Sequence, residues 1–441
     1  GLGLDRLADL LAEDPGDLPT QIADVDALTR SLGILVSRHH MLRARLDASS
    51  SPWRFEIPEA APESVAGPDV LVVHHQGSLG GDLEAIARRV RERLDPAAGR
   101  MVAAAWVDRG AQPGRLLVAI HHLVVDGVSW RVLVPELLAA YTQLTSGTAP
   151  EDVSLAQVST DFGAWARGLT MLDRSGEADL WRRIGADTDP LALFSRPLDP
   201  GRDRQATVAR HRVEVDSAVA REVLGPVGAR LGVGVDDVLL GAFGAAIGTP
   251  TLVDSEGHGR VEHLLPGADL TGTVGWFTAV HPIRVGGTGD AGTQAKDLAA
   301  QRATIPDGGV GYGLLRYGSA GVGVDVTDRA GVDLPKAVIE FNYVGRYRDF
   351  AFEGWSMAPE SVDIGPDDEM SAGYGLIVDV ATVDGPDGPR LSATWNYQPG
   401  MIDAHAIARL AERWLAALAE LAKIDTAELA SVHTGETEGG R

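Results

Sequence analysis

Two adjacent imidazoles stand between an apolar run and a polar turn in the sequence His121-His122-Leu123-Val124-Val125-Asp126-Gly127-Val128-Ser129-Trp130. The apolar run 115–120 before them has the length of a buried strand. Asp126-Gly127 predicts a turn, and Ser129 is expected to cap the helix that follows it, which Pro135 should kink or break. A histidine at the end of a buried strand is well placed to act as a general base.

Side chains alternate along a strand, so His121 and His122 are expected to face opposite ways, and only one can readily enter a cavity. The chain has two other histidine pairs. His39-His40 ends a predicted helix with Asp26 as its expected cap, and His74-His75 follows apolar residues without a nearby acid. The Asp-Gly turn after the 121–122 pair distinguishes it from both.

The pattern His121-His122-x-x-x-Asp126-Gly127 resembles the signature of the condensation superfamily of nonribosomal peptide synthetases. Its extension through Val128-Ser129-Trp130-Arg131 is more similar to the epimerization branch. Three later blocks resemble that branch in the same order along the chain: Glu256-Gly257-His258-Gly259-Arg260, Thr273-Val274-Gly275-Trp276-Phe277-Thr278 and Phe341-Asn342-Tyr343-Val344-Gly345. The resemblance spans roughly residues 22 to 422, and the co-occurrence of the blocks makes it specific.

The resemblance implies an α/β fold, an α+β sandwich, with two chloramphenicol-acetyltransferase-like lobes arranged as a V-shaped pseudodimer and an active site in the tunnel between them. We expect an N-terminal lobe over 1–165 that carries the His-His motif and a connecting helix and linker over 166–205. A C-terminal lobe over 206–423 and a tail or linker over 424–441 should follow. One departure concerns the start of the chain, where residues 4–11 read as a short helix and the family's opening strand is not visible.

Composition narrows the possible functions. With 441 residues, 44% of them hydrophobic, the chain can bury two cores, and its net charge of −23 disfavours nucleic acid and anionic membranes as partners. The absence of cysteine excludes thiolate zinc sites, disulfides and a two-thiol racemase. None of the three lysines follows a glycine, so there is no phosphate-binding loop, and a pyridoxal-phosphate racemase is disfavoured. No apolar run reaches the roughly 20 residues of a membrane span, which together with the lack of a secretory pattern favours a cytoplasmic protein.

The expected reaction is epimerization at Cα of an L-aminoacyl or peptidyl thioester, giving an L/D mixture by proton transfer through an enolate. Such a reaction requires acid/base groups on two opposed faces unless one residue moves. His122 and Glu256 are the candidates, and their roles could exchange between the two directions. Tyr343, with Asn342 beside it, is a candidate for enolate stabilisation or for the proton donor.

Supporting roles are expected for the neighbours of these candidates. His121 and Asp126 should fix the turn at Gly127, Asp126 through an arginine such as Arg260 or Arg284. Trp276 is expected to pack or to line the tunnel wall.

The resemblance implies that the substrate arrives on the phosphopantetheine arm of a peptidyl carrier protein, with neighbouring synthetase domains as further partners. The domain itself is expected to need no metal and no cofactor of its own. Two alternatives stay open: a condensation domain that joins two carrier-bound substrates by a peptide bond, and a catalytically inactive module of the same fold that recruits another protein.

Overall fold

The computed structural model describes residues 10–13, 24–49, 53–59, 70–75, 82–110, 112–317, 333–347, 351–352, 355–358, 360, 367–385 and 388–424. Within these residues the helices and strands are, in chain order, β1 Leu10–Glu13, α1 Val25–Arg38, β2 Arg45–Asp47, β3 Arg54–Glu56, β4 Leu71–His75, α2 Asp82–Glu92, β5 Val102–Asp108, β6 Arg115–Ile120, α3 Gly127–Thr145, α4 Phe162–Thr170, α5 Ala178–Gly185, β7 Ala209–Glu214, α6 Ser217–Val223, α7 Pro226–Leu231, α8 Val235–Ile247, β8 Thr251–Gly257, β9 Ala279–Val285, α9 Ala291–Ala303, α10 Val310–Tyr317, β10 Ile339–Tyr347, β11 Ala351–Phe352, β12 Trp355–Met357, β13 Leu376–Gly385, β14 Gly388–Tyr397 and α11 Ala404–Ala422.

A first sheet organises the N-terminal half, with the strand order β11-β12-β1-β6-β5-β4. Strands β5 and β6 are nearly continuous apolar runs because both of their faces are covered. On one face they pack against α1 and α3, and on the other against α2. The strand predicted before the histidine pair is therefore confirmed as the buried β6.

A second sheet has the order β7-β14-β13-β10-β8-β9. Its core lies on one face, where side chains of α6, α8 and α11 cover the strands. The apolar spacing of residues 407–421 predicts the last of these helices, and the structure confirms it. Asp403 caps it, and the residues of its apolar stripe are almost completely buried: Ile407, Leu410, Trp414, Leu418 and Leu421.

The two sheets together confirm the predicted α/β class. The division of the chain between them is not strictly sequential, because β12 pairs antiparallel with β1 and extends the first sheet. Residues 351–352 and 355–357 therefore belong to the first sheet, although the expected range 206–423 places them in the second lobe. The tail after 424 lies outside the described residues. No helix in the described part of the chain is long and apolar enough to cross a membrane.

Three local expectations were wrong. Leu10 and Leu11 lie in a strand rather than a helix, because β1 pairs with both β6 and β12; residues 4–9 of that predicted helix lie outside the described ranges. The cap of α1 is Asp24, whose carboxylate accepts from the Ala27 N–H. Helix α3 is not broken at Pro135 and continues to Thr145.

The third wrong expectation concerns the cap of α3. Asp126, and not Ser129, caps α3: its Oδ1 accepts the Ser129 N–H at 2.8 Å and lies 2.8 Å from the Ser129 hydroxyl. An aspartate at this position satisfies backbone donors of the first helical turn that would otherwise be unpaired. Gly127 is the first residue of the helix.

Candidate functional site

His122 lies where the chain leaves β6. Residues His122–Val124 form a single 3-10 turn, so the imidazole is aimed by this turn and not by strand alternation. Both of its ring nitrogens are buried, and neither has a hydrogen-bond partner among the described residues. Burial lowers the pKa of His122 from its ordinary value. The imidazole is therefore neutral at neutral pH and able to take a proton.

Trp276 brings the second half of the chain against this imidazole. The ring centroids of His122 and Trp276 are 4.7 Å apart, with the planes tilted by 56°. Contact at this distance fixes the ring orientation of His122 on one side. The expectation that Trp276 packs or lines a wall agrees with this contact, and the wall it forms lies directly against the candidate base.

An ion pair joins the His-His motif to the loop after β8. Arg260 donates to Asp126 through two nitrogens, Nη1 to Oδ2 at 2.6 Å and Nη2 to Oδ1 at 3.1 Å. The side chains are only 9% and 2% exposed, so this is a buried, bidentate pair. Of Arg260 and Arg284, the two expected candidates for Asp126, the structure selects Arg260.

Hydrogen bonds around this ion pair complete a junction between the two halves. The Phe277 N–H donates to Asp126 Oδ2 at 3.1 Å. The Ser129 hydroxyl lies 3.0 Å from the Gly275 carbonyl oxygen and accepts the Gly275 N–H at 3.2 Å. The turn that ends with Asp126 is thereby held against the loop that carries Trp276.

Glu256 is the last but one residue of β8, in the second half of the chain. Its Oε1 is buried without a hydrogen-bond partner among the described groups. Burial raises the pKa of Glu256, and the charge of Asp126 raises it further. Arg260 stands four positions after Glu256, and Asp126 stands four positions after His122. Because each extended span reaches at most about 14 Å, the Arg260–Asp126 pair limits how far apart the two candidates can lie.

The strand register shows which residues share a face with Glu256. In the parallel pair of β8 and β10, Glu340 lies opposite Asp254. Since side chains alternate along a strand, Asp254, Glu256, Glu340 and Asn342 lie on one face. Their neighbours Val253 and Phe341 lie on the other, in the helical core. Asn342 therefore lies on the face that carries Glu256.

Tyr343 lies on the opposite face of β10. Its ring packs against the helix-covered core, and its hydroxyl is 3.1 Å from Thr382 Oγ1. The structure thus does not bring Tyr343 onto the acidic face, because the alternation that places Asn342 there turns the next residue away. A role for Tyr343 in the reaction stays a prediction without support from this geometry.

His121 makes the structural contact expected of it. Its Nδ1 accepts the Leu123 N–H at 3.2 Å, which closes the 3-10 turn. Of the other histidine pairs, His39 lies 2.8 Å from the Glu136 carboxylate through its Nε2, and His74-His75 belong to β4. No cluster of metal-binding side chains exists in the part of the chain that the structure describes.

A cavity of about 300 Å³ is lined by neighbours of both candidates, although neither His122 nor Glu256 itself lines it. It reaches Trp276, which contacts His122, and Val280, which lies opposite Glu256 in the register of β8 and β9. Its other walls are largely apolar and come from α4, α10 and the 276–280 segment, with Trp165, Leu169, Phe277 and Leu314 among them. Such a lining suits an apolar group that must be kept from water.

Gly259 allows the Glu256 loop to pass close to the 276–280 segment. Its φ is +60°, and a Cβ there would overlap the carbonyl oxygen of Phe277. We expect Gly259→Ala to destabilise the fold by more than the roughly 1–2 kcal/mol cost of left-handed backbone alone. The matched control is Gly267→Ala, with φ of +79° and no atom within 4 Å of the added Cβ. Urea denaturation of both variants measures the difference, and equal losses would contradict the close approach.

Sequence reasoning missed Glu340. It lies between Ile339 and Phe341 on β10, and its exposed fraction is 0%. An acid inside an apolar strand was the available signal, because such a group is rarely buried without a specific partner. The sequence named Arg260 as one of two possible partners of Asp126, and the structure shows that it is the partner.

Comparison with known proteins places this site in a family. The model of the condensation domain matches residues 20–438. One of the linear gramicidin synthase proteins of Brevibacillus parabrevis is 30% identical over 429 residues, which cover 94% of this chain and 5% of that protein. Another protein of the same synthase is 32% identical over 416 residues, which cover 90% of this chain and 8% of that protein. The chain thus spans only 5% to 8% of the length of these relatives.

Solved structures share the fold. The epimerization domain from the third module of tyrocidine synthetase B has a TM-score of 0.76 and 21% identity, and the match covers 95% of this chain and 92% of that one. The first condensation domain of the CDA synthetase has a TM-score of 0.62 and 19% identity, with coverage of 95% and 91%. These likenesses confirm the expected architecture. With the family model matching most of its length, the chain belongs to the condensation domain family of nonribosomal peptide synthetases.

Proposed function

We propose that this domain epimerizes the Cα of an L-aminoacyl or peptidyl thioester. The observation that carries the proposal is a pair of buried titratable groups at the junction of the two sheets, His122 and Glu256, whose environments move their proton affinities in opposite directions. Pairs of this kind divide the roles of base and acid between two residues. The larger TM-score of an epimerization domain supports the same choice.

The directions of the two pKa shifts favour His122 as the base and Glu256 as the acid for the L isomer. Burial lowers the pKa of His122, so the neutral imidazole takes the Cα proton of the L isomer. The electron pair of the broken C–H bond passes into the thioester enolate. Burial raises the pKa of Glu256, so its carboxyl group can hold a proton and deliver it to the opposite face. The reverse reaction uses the same two groups with their protonation states exchanged.

The substrate in this proposal is carried by a peptidyl carrier protein on its phosphopantetheine arm, and neighbouring synthetase domains supply and remove it. The domain contributes no cofactor or metal to the reaction. An apolar cavity beside Trp276 and Val280 can receive the substrate and keep water from the thioester.

Condensation is the second candidate. It is favoured by His122 itself, whose two ring nitrogens lack partners among the described residues and could orient or deprotonate an acceptor amine. It gives no role to the buried carboxyl of Glu256. An inactive recruitment module uses neither group.

The deciding experiment supplies the domain with a carrier loaded with an L-aminoacyl or peptidyl thioester in deuterated water. Epimerization predicts deuterium at Cα and a mixture of L and D products. A second reaction offers two differently loaded carriers, and an amide product there, with no exchange in the first, would establish condensation. If neither reaction occurs with correctly loaded carriers, the recruitment module becomes the better account.

The lowered pKa of His122 predicts where activity fails in acid. The base must be unprotonated, so kcat/KM for the L isomer falls as pH drops through the pKa of the free enzyme. Because burial lowers this pKa, the midpoint of the fall should lie below about pH 6.5, the ordinary imidazole value. A pH profile of inversion checks this, and a midpoint above that value would contradict a buried neutral base.

A further inference from the structure

Glu340 is a buried acid that the reaction as described does not use. Its exposed fraction is 0%, and neither of its carboxyl oxygens has a hydrogen-bond donor among the described residues. An ionised carboxylate in such a place has a high desolvation cost. A carboxylic acid that keeps its proton avoids this cost and gains a donor.

The acceptor for that donor is Glu256. The side chains of Glu256 and Glu340 lie on the same face of the adjacent parallel strands β8 and β10. Glu340 lies directly opposite Asp254, and Glu256 is two residues further along β8. Both oxygens of Glu340 and Oε1 of Glu256 are buried there without a hydrogen-bond partner among the described residues. With both ionised neither can donate, so a proton on one of them is what makes a hydrogen bond between them possible.

The other acids on or near this face that the structure describes already have partners. Asp254 accepts from the Tyr374 hydroxyl at 2.9 Å, and Asp126 is held by Arg260. Asp379, on the neighbouring β13, accepts from Asn396 Nδ2 at 3.0 Å. These acids add negative potential around the pair, which disfavours a second carboxylate there. The donor that meets Glu256 is then the proton of Glu340. In agreement, burial and the charge of Glu256 raise the pKa of Glu340 well above its ordinary value.

We infer that Glu340 is a positioning residue that stays protonated at neutral pH and donates a hydrogen bond to Glu256. This inference rests on the proposed function, because it assigns Glu256 to proton transfer. When Glu256 gives its proton to Cα, the hydrogen bond from Glu340 stabilises the carboxylate that forms. When Glu256 takes a proton in the reverse direction, Glu340 keeps its own, so the only proton that moves at this pair is the one exchanged with Cα.

Two substitutions separate this role from simple packing. Glu340→Gln keeps the shape and a donor, whereas Glu340→Leu keeps an apolar side chain of similar size and removes the donor. We expect Glu340→Gln to retain the wild-type rate within a few-fold. Glu340→Leu should lower kcat roughly 10- to 100-fold with little change in KM, the loss typical of a hydrogen bond to a charged group. Without its donor, Glu256 should also titrate at least about one pH unit higher.

Infrared spectroscopy tests the protonation without any turnover. At pH 8 the wild-type protein should show the C=O band of a buried carboxylic acid, and Glu340→Gln should lose it. The matched control is Asp254→Asn on the same face: burial raises the pKa of Asp254 to about 6, so this acid is ionised at pH 8 and its replacement should leave the band unchanged.

The outcomes distinguish the protonated Glu340 from the proposed function. If the band disappears in Glu340→Gln but no variant and no wild-type protein epimerizes a loaded carrier, the proposed function fails and the protonated Glu340 stands. If the band is absent from the wild-type protein, or is undiminished in Glu340→Gln, the inference is overturned. Equal loss of kcat in Glu340→Gln and Glu340→Leu would also overturn it, because a donor would then not be what matters.

Discussion

Replacing His122 by alanine is expected to lower the rate of inversion of a carrier-bound L-thioester by roughly 100- to 10,000-fold, the contribution of a positioned general base. The reason is local: His122 is held against Trp276, its ring nitrogens have no partners among the described residues, and burial lowers its pKa. The loss should appear in kcat, because the alanine removes a group that acts in the transition state.

The matched control is His121→Ala. This histidine is the chain neighbour of His122, but its Nδ1 accepts the Leu123 N–H and closes the turn. Its loss should cost the energy of one hydrogen bond, about 1 kcal/mol of stability, and less than tenfold in rate. A loss for His121→Ala as large as that for His122→Ala would mean that the turn as a whole, rather than one imidazole, supports the reaction.

Removing Arg260 is expected to have the largest effect on stability. Asp126 is 2% exposed, and Arg260→Met leaves its carboxylate buried without a counter-charge. Breaking a buried pair in this way costs about 3–5 kcal/mol. Since the pair joins the turn after β6 to the loop that follows Glu256, the variant should also lose activity. Urea denaturation followed by circular dichroism measures the first effect, and the carrier assay measures the second.

A double-mutant cycle provides the control for this prediction. Asp126→Asn with Arg260→Met removes both charges, so the double variant should be more stable than the sum of the two single losses implies. Additive losses would show that the two side chains act independently, in contradiction to the bidentate contact between them.

The sequence could predict those parts of the fold that depend on local pattern. The apolar run of β6 and the stripe of α11 specify a buried strand and an amphipathic helix by spacing alone. Caps were less predictable, because several residues near a helix start can serve. Asp126 takes the role expected of Ser129 since its carboxylate reaches both the Ser129 N–H and the arginine across the junction.

The start of the first sheet could not be predicted because its strand is stabilised by distant partners. Residues 10–13 pair with β6 and β12, which lie far apart in the chain. From its sequence alone, a short apolar segment can equally well be predicted as a helix or as a strand. Here the pairing with β6 and β12 makes it a strand.

The candidate site shows the same limit. Sequence blocks gave His122 and Glu256 as candidates and Arg260 as one of two possible partners of Asp126. They could not show which face of β10 meets Glu256. Strand register places Glu340 and Asn342 there and turns Tyr343 toward the core. Asn342 and Tyr343 are adjacent in the sequence, yet the first lies on the acidic face and the second packs against the core.

His122 and Glu256 are proposed to serve opposite faces of one Cα. This is tested most directly by deuterium exchange and inversion of L- and D-thioesters on their carrier, with His122→Ala and Glu256→Gln beside the wild-type protein. We expect the wild-type protein to exchange and invert both isomers. Glu256→Gln should exchange only the L isomer, His122→Ala only the D isomer, and neither variant should invert. Variants that exchange both isomers equally, or a Glu256→Gln protein that still inverts the L isomer at the wild-type rate, would contradict this proposal.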